Sequence, residues 1–150
     1  ILFSFFSKGV NSMGLFSKCM FSSVEGTILK DGSPVEGVEV TRSYRWINKE
    51  EKIETVVTDS KGRFSFKNWT SSSFLSSIIP VEPVIRQKII FKYQDEEYTG
   101  WSFHKHSYAD GDEVGVTPIV LQCDLDDEFK RQVPDGYFGI CKLSSKPPEK

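Results

Sequence analysis

The chain has 150 residues, a formal net charge of −2 at pH 7 and two histidines. A chain of this length can bury about 70% of its unfolded surface, so it can form a single domain with its own core. Proteins that bind nucleic acid carry a concentrated basic patch, and the overall charge gives no reason to expect one. We therefore expect one domain and no nucleic-acid partner.

Residues 1–20 are predicted to form a poorly packed extension. The apolar run at residues 1–6 is much shorter than the roughly 20 apolar residues of a membrane-spanning helix, so no transmembrane span is expected. Met13 could be the true start, or residues 1–12 could be the end of a signal peptide. Cys19 follows a charged residue, which fits a lipoprotein site poorly and favours a buried or free thiol.

Residues 24–66 show strand-length apolar runs separated by turn residues at short intervals. Asp31-Gly32 and residues 59–62 contain the Asp and Gly that tight turns require. Along residues 38–46, apolar and polar side chains alternate with a period of two, typical of a strand with one covered face. This spacing predicts an all-β fold, an antiparallel sandwich of seven to eight strands.

The same stretch contains G-x-I-x-x-x-G-x-P-V-x-G-V-x-V followed by T-D-x-x-G-R-F-x-F. It resembles the carboxypeptidase regulatory-like domains, relatives of transthyretin-like and Cna-B-type sandwiches. The resemblance implies an Ig-like or transthyretin-like fold and an accessory role, but the motif carries no catalytic residues. The matching positions are Gly26, Ile28, Gly32, Pro34, Val35, Gly37, Val38, Val40, Thr58, Asp59, Gly62, Arg63, Phe64 and Phe66.

The whole chain also resembles an uncharacterised family of small proteins from Gram-negative bacteria. The residues that carry this second resemblance are Trp101-Ser102-Phe103, Cys123 and Gly139-Ile140-Cys141. It implies a bacterial source and no particular chemistry.

Residues 68–83 interrupt the β pattern. Apolar residues at 74, 75, 78 and 79 follow helical spacing, and the serines before them can cap a helix. We predict one short helix from Ser72 to Ile79, ending before Pro80 because the residue before a proline avoids the α region. Strand-like segments then continue, which places the sandwich domain at residues 21–143 and a flexible tail at 144–150.

Cys123 and Cys141 are predicted to form a disulfide, since each lies in a strand-like segment, and Cys19 is then the odd thiol. A bridge would persist in the periplasm or outside the cell, whereas a reducing cytosol would keep the pair reduced. The bridge and the location are therefore linked expectations.

No arrangement of residues typical of an enzyme is recognisable. The sequence has no G-x-S-x-G, no phosphate-binding glycine loop and no C-x-x-C. The acidic runs at residues 95–97 and 126–128 lie in predicted turns, whereas a general acid needs burial to shift its pKa. We expect no enzymatic activity and no cofactor.

Two metal sites are possible but less favoured than solvated loops. His104 and His106 would point to the same side of an extended segment, and Asp110 or Asp112 could supply a third zinc ligand. The acidic residues 124–128 could bind calcium, although the D-x-D-x-D-G pattern is absent.

Residues 104–113 form the longest polar stretch between two predicted strands. Long loops on a rigid scaffold collect binding residues, and Tyr108 is the one aromatic residue in this loop. We expect another protein to contact an exposed Tyr108 and its neighbours; a mobile loop without function is the alternative. The candidate partner-binding residues are His104, His106, Tyr108, Asp110 and Asp112.

The sequence thus predicts a non-enzymatic, protein-binding module of a bacterial accessory protein. The alternative is an immunity or inhibitor protein that neutralises a secreted bacterial toxin. A toxin gene beside the gene for this chain would favour the second function.

Overall fold

The structure is a computed structural model that describes residues 17–46, 49–72 and 83–144. The predicted helix at residues 72–79 lies outside this part of the chain, apart from Ser72, which ends a strand. The predicted tail also lies outside it, apart from Ser144. The described ranges contain no helix, and hence none with the length and apolar character needed to cross a membrane.

The described residues form thirteen strands, so the predicted all-β fold is confirmed. The count exceeds seven to eight partly because four strands are only two or three residues long, too short for a period of two to be visible. In chain order the strands are β1 (Ser17–Phe21), β2 (Val24–Lys30), β3 (Ser33–Pro34), β4 (Glu39–Trp46), β5 (Lys52–Val57), β6 (Arg63–Phe66), β7 (Trp69–Ser72), β8 (Ile85–Tyr93), β9 (Glu96–Lys105), β10 (Ile119–Asp124), β11 (Lys130–Arg131), β12 (Phe138–Gly139) and β13 (Cys141–Leu143).

These strands form three sheets within the described part of the chain. The six-stranded sheet has the order β11-β12-β9-β8-β4-β5. The five-stranded sheet has the order β13-β10-β2-β3, with β6 also paired to β2, and β1 pairs with β7. The ring of Phe64 in β6 lies 5.9 Å from the ring of Phe91 in β8, between centroids, so the two larger sheets share one core. This arrangement is consistent with the predicted sandwich.

Close packing between the sheets explains one glycine of the motif. Gly26 lies on the buried side of β2, opposite Phe64 in β6. A Cβ atom at Gly26 would overlap the Phe64 ring, so only glycine fits there. The predicted turn at Asp31-Gly32 is also present, and both residues have positive φ, 52° and 78°, as a primed hairpin turn requires.

One strand pair contradicts the prediction of a purely antiparallel sandwich. Strands β2 and β10 run parallel, from Val24 beside Ile119 to Leu29 beside Asp124. The period of two shows which side chains face the core, but it is the same for parallel and antiparallel pairs. Two strands about 95 residues apart therefore give no local signal of their relative direction.

Strand β1 belongs to the folded domain, although the sequence places residues 17–20 in the extension. Lys18, Cys19 and Met20 are all buried, and β1 pairs with β7. The backbone N–H of Cys19 also donates to the carbonyl of Tyr108 at 3.0 Å.

The predicted cysteine pair lies at disulfide distance. Cys123 of β10 and Cys141 of β13 are directly opposite, with Cα atoms 4.1 Å and sulfur atoms 2.00 Å apart. Both residues are fully buried, and Cys19 is the free cysteine among the described residues.

Replacing Cys123 and Cys141 together by alanine should lower the free energy of unfolding by about 3 kcal/mol, the value expected from chain entropy for a loop of this length. Urea unfolding of oxidised protein would measure the change. In urea without reductant, a thiol reagent should label one cysteine, and after reduction three. Labelling of all three in unreduced protein from an oxidising compartment would contradict the bridge.

Tyr137 stabilises the core beside this bridge. Its ring stacks on Trp101 with centroids 4.4 Å apart, and its hydroxyl donates to the carbonyl of Cys141 at 3.0 Å. Burial, and then the negative charge of Asp135, raise the pKa of Tyr137 from 10.0 to about 12.

Stability should therefore fall as the pH rises from 10 to 12. The unfolded chain releases the Tyr137 proton near pH 10 and the folded chain near 12, so the unfolded state binds fewer protons in this window. Tyr137→Phe should lose about 1 kcal/mol at pH 7 with the hydroxyl hydrogen bond, and the deficit should shrink at pH 11. Urea unfolding of the unchanged protein and of Tyr137→Phe at both pH values would measure the difference in free energy of unfolding. A difference that is the same at pH 7 and pH 11 would contradict the raised pKa.

Candidate functional site

The predicted binding loop begins within the last two residues of β9, and its candidate residues differ in exposure. His104, His106, Asp110 and Asp112 are exposed, whereas Tyr108 is half-buried. In the three described ranges, no group of three or more His, Cys, Asp or Glu side chains could hold a metal ion.

Tyr108 connects the loop to the fold. Its ring meets the Trp46 ring edge to face at 5.8 Å, and its hydroxyl accepts a hydrogen bond from Nε1 of Trp46 at 3.1 Å. The ammonium group of Lys18 lies 4.9 Å from the ring centre. Tyr108 is thus not the exposed anchor that the sequence predicts, because β1 and β4 supply neighbours that the local sequence does not show. A partner contact at any of the five candidates, Tyr108 included, stays a prediction.

The acidic segment at residues 124–126, at the end of β10 and just after it, binds the turn between β2 and β3. The Asp126 carboxylate accepts from the backbone N–H of Asp31 at 3.0 Å and pairs with Lys30 at 3.1 Å. The Asp124 carboxylate accepts from the N–H of Gly32 at 3.3 Å. These contacts lower the pKa of Asp126, the Lys30 ammonium group contributing most. The segment fastens the β2–β3 hairpin.

A buried carboxylate lies beneath the predicted loop. Glu113 is 4% exposed and accepts hydrogen bonds from the hydroxyl of Ser22 at 2.6 Å and from its backbone N–H at 3.0 Å. Nε2 of Gln87 donates to the same carboxylate at 2.8 Å, and Nζ of Lys105 lies 3.8 Å away. We call Ser22, Gln87, Lys105 and Glu113 the buried network.

The rest of the buried network is also hydrogen-bonded. Lys105 donates to the carbonyl oxygens of Cys19 at 3.0 Å and Ala109 at 2.6 Å. Oε1 of Gln87 accepts from Nε1 of Trp101 at 3.1 Å. Among the described residues, no buried side-chain atom of this network lacks a hydrogen-bond partner, as a buried charge requires.

The alternation along β8 indicates one member of this network, Gln87. Gln87 has the same parity as Ile85, Ile89 and Phe91 in β8, so alternation places it on the buried face. Glu113 lies in a loop, where no such parity applies.

The thiol of Cys19 lies beside the buried network, and its surroundings do not activate it. Its thiol contacts Oδ1 of Asn68 at 3.1 Å and Oγ of Ser22 at 3.6 Å. Burial raises the pKa of Cys19, whereas reactive cysteines have a lowered pKa and an exposed sulfur.

The strand β5 presents a different kind of surface. It is the last strand of the six-stranded sheet, paired with β4 on one side, and no described strand pairs with its other edge. Ile53 and Val57 are each 59% exposed. An unpaired edge with exposed β-branched side chains is a ready acceptor for another strand.

The inner side of β5 is held firmly. Glu54 pairs with the buried guanidinium of Arg42 at 2.5 Å. That guanidinium also donates to the carbonyls of Ser22 at 3.0 Å and Lys67 at 2.7 Å. Burial lowers the pKa of Arg42, but its ordinary pKa is so high that it stays charged.

A groove of 640 Å³ lies beside the β5 edge. Val56 and Val57 form its β5 side, and residues of β2, β6, β10 and the turn between β5 and β6 complete it. The other lining residues are Glu25, Gly26, Thr27, Asp59, Arg63, Phe64, Ser65 and Val120. The unpaired edge is thus next to a mixed polar and apolar concavity.

Residues 24–128 match a family described as "Domain of unknown function (DUF6795)". The chain belongs to the DUF6795 family. No curated protein and no solved structure matches the chain. In this DUF6795 domain the matched region includes β5 and the Lys105–Glu113 pair, whereas β1 and Cys141 lie outside it.

Replacing Glu113 by Gln should destabilise the domain by about 3 kcal/mol, because it leaves the buried Lys105 charge without a counterion. The matched control is Asp127→Asn, which breaks the exposed pair with Lys142 and should change stability by less than about 1 kcal/mol. Adding Lys105→Met to Glu113→Gln should recover part of the loss. Urea unfolding measures all four proteins, and equal effects of Glu113→Gln and Asp127→Asn would contradict the importance of the pair.

Proposed function

We propose that this DUF6795 domain is a non-enzymatic protein-binding module to which a partner protein adds a strand at β5. The observation that carries the proposal is the outer edge of β5, with which no strand of the described residues pairs, together with the 59% exposure of both Ile53 and Val57. Strand addition satisfies backbone groups at the edge and buries such side chains at the same time.

The chemistry of the interior supports a non-enzymatic role. The buried carboxylate of Glu113 is occupied by hydrogen bonds from Ser22 and Gln87 and by the nearby Lys105. The buried thiol of Cys19 has a raised pKa. Both groups stabilise the fold, and neither is open to solvent.

Rigidity supports β5 as the binding element. The pair between Arg42 and Glu54 holds the inner side of β5, and β4 pairs with it from Glu39 to Tyr44. A strand that is already ordered loses little conformational entropy when a partner binds, so more of the contact free energy appears as affinity.

The proposed fold type is an Ig-like or transthyretin-like sandwich of the carboxypeptidase regulatory-like kind. The motif residues have local roles that support it. Asp59 accepts from the backbone N–H groups of Lys61 and Arg63, both at 2.9 Å, and Gly62 adopts a φ of 74°. These contacts, which lower the pKa of Asp59, close the turn before β6.

A photo-crosslinking residue at Thr55 should capture the partner in native cells, whereas the same residue at the exposed Val133, which is remote in sequence, should not. The captured protein would then be purified. Ile53→Lys combined with Val57→Lys should raise the Kd of the complex with this partner at least about tenfold, because charged groups replace the apolar contact. Val133→Lys is the matched control, since Val133 is 72% exposed.

Unchanged affinity of the Ile53→Lys, Val57→Lys protein would exclude β5 as the binding edge. Cross-links between two copies of the chain would show that β5 binds a second copy of this protein and not a different partner. If the captured partner is a secreted toxin, inhibition of its activity would identify the inhibitor form of this function.

A further inference from the structure

Basic side chains collect on the outer face of the six-stranded sheet. The register places Arg45 of β4 opposite Arg86 of β8, and Arg86 opposite His104 of β9. Lys88 lies between Ser43 and Ser102 in the next row. Arg45, Arg86, Lys88 and His104 are all exposed. We call these four residues the basic face.

A concavity lies among these residues. Ser43, Arg45, Glu51, Arg86 and Lys88 line a groove of 280 Å³. Glu51 is its one acidic lining residue. In the part of the chain that the structure describes, none of the ion pairs includes Arg45, Arg86 or Lys88. The groove therefore has an excess of positive charge, although the whole chain has a net charge of −2.

Like charges directly opposite each other destabilise a β-sheet. Arg45 and Arg86 are such a pair, and an anion bound between them would relieve their repulsion. Arginine is also suited to carboxylates and phosphates, because its planar guanidinium donates two parallel hydrogen bonds.

The position of β5 favours a protein carboxylate over other anions. Ile53 is paired with Ser43, and Ser43 with Lys88, so the exposed apolar edge and the basic face share a row. Neighbouring strands lie about 4.8 Å apart, so Arg45 and Lys88 lie roughly one and two strands in from β5, within reach of side chains on an added strand. A polynucleotide usually needs a longer basic surface than these few cations.

We propose that the basic face binds carboxylates of the partner segment that adds to β5. This inference rests on the proposed function and specifies its partner. The partner presents an extended segment in which apolar side chains contact Ile53 and Val57, and acidic side chains reach Arg45, Arg86 and Lys88.

The test uses two short peptides as probes. Successive side chains of a strand point to opposite faces, so the first peptide repeats Val-Thr-Glu-Thr, which places valine and glutamate on the same face. The second peptide has glutamine in place of glutamate. The glutamate peptide should bind about tenfold more tightly in low salt, as expected for a few exposed ion pairs, and the difference should shrink in high salt. Replacing Arg45, Arg86 and Lys88 by serine should remove the difference. Fluorescence anisotropy of labelled peptides measures each affinity.

Two single variants sharpen the test. Glu51→Gln should strengthen binding of the glutamate peptide, because it removes the acidic lining residue of the groove. Lys92→Ser is the matched control, since Lys92 lies on the same strand between Glu39 and Glu97 and should have little effect.

The outcomes separate this inference from the proposed function. Equal binding of both peptides, lost in the Ile53→Lys, Val57→Lys protein, would overturn the acidic partner and leave strand addition at β5 intact. No binding of either peptide would overturn the inference, while the captured partner still tests β5 directly. A single-stranded oligonucleotide is the third probe. If it binds more tightly than the glutamate peptide, and this binding is lost in the triple serine protein, the ligand of the basic face is a phosphate backbone and the proposed protein carboxylate is wrong.

Discussion

The buried Glu113 carboxylate is the constraint on which much of this structure depends. Its partners come from three separate segments: Ser22 between β1 and β2, Gln87 in β8 and Lys105 at the end of β9. A buried charge is tolerated only when all its partners are in place. The loop after β9 is therefore fixed from below, and β1 is tied to the same network because the carbonyl of Cys19 accepts a hydrogen bond from Lys105.

This constraint separates the parts of the DUF6795 domain that hold the fold from those that are free to bind. The loop after β9 contributes Tyr108 and Glu113 to the interior. Part of this polar loop therefore holds the fold together. The six-stranded sheet shows the opposite arrangement. Arg42 holds β5 on the inner side of the sheet, while the outer side chains of β5 are exposed. The proposed strand addition at β5 would leave the buried network in place.

Local patterns predicted much of the fold. The alternation along β4, the Asp31-Gly32 turn and the Cys123–Cys141 pair are all properties of short segments, and each is present. The parallel pairing of β2 with β10 is not local, and the basic face depends on a register between distant segments that no single segment encodes. The local sequence therefore indicates a binding loop, whereas the exposed edge of β5 becomes visible only in the assembled sheet.

The burial of Cys19 has a consequence for how the chain oxidises. Three cysteines allow three different single bridges. Either bridge that includes Cys19 would pull its sulfur away from Ser22 and Asn68 and separate two residues that face each other in β10 and β13. A mispaired chain therefore cannot form the native core, and it retains a free thiol that can exchange with the wrong bridge. In such a chain the free thiol belongs to Cys123 or Cys141, and its attack on the wrong bridge forms the Cys123–Cys141 disulfide and releases the thiol of Cys19.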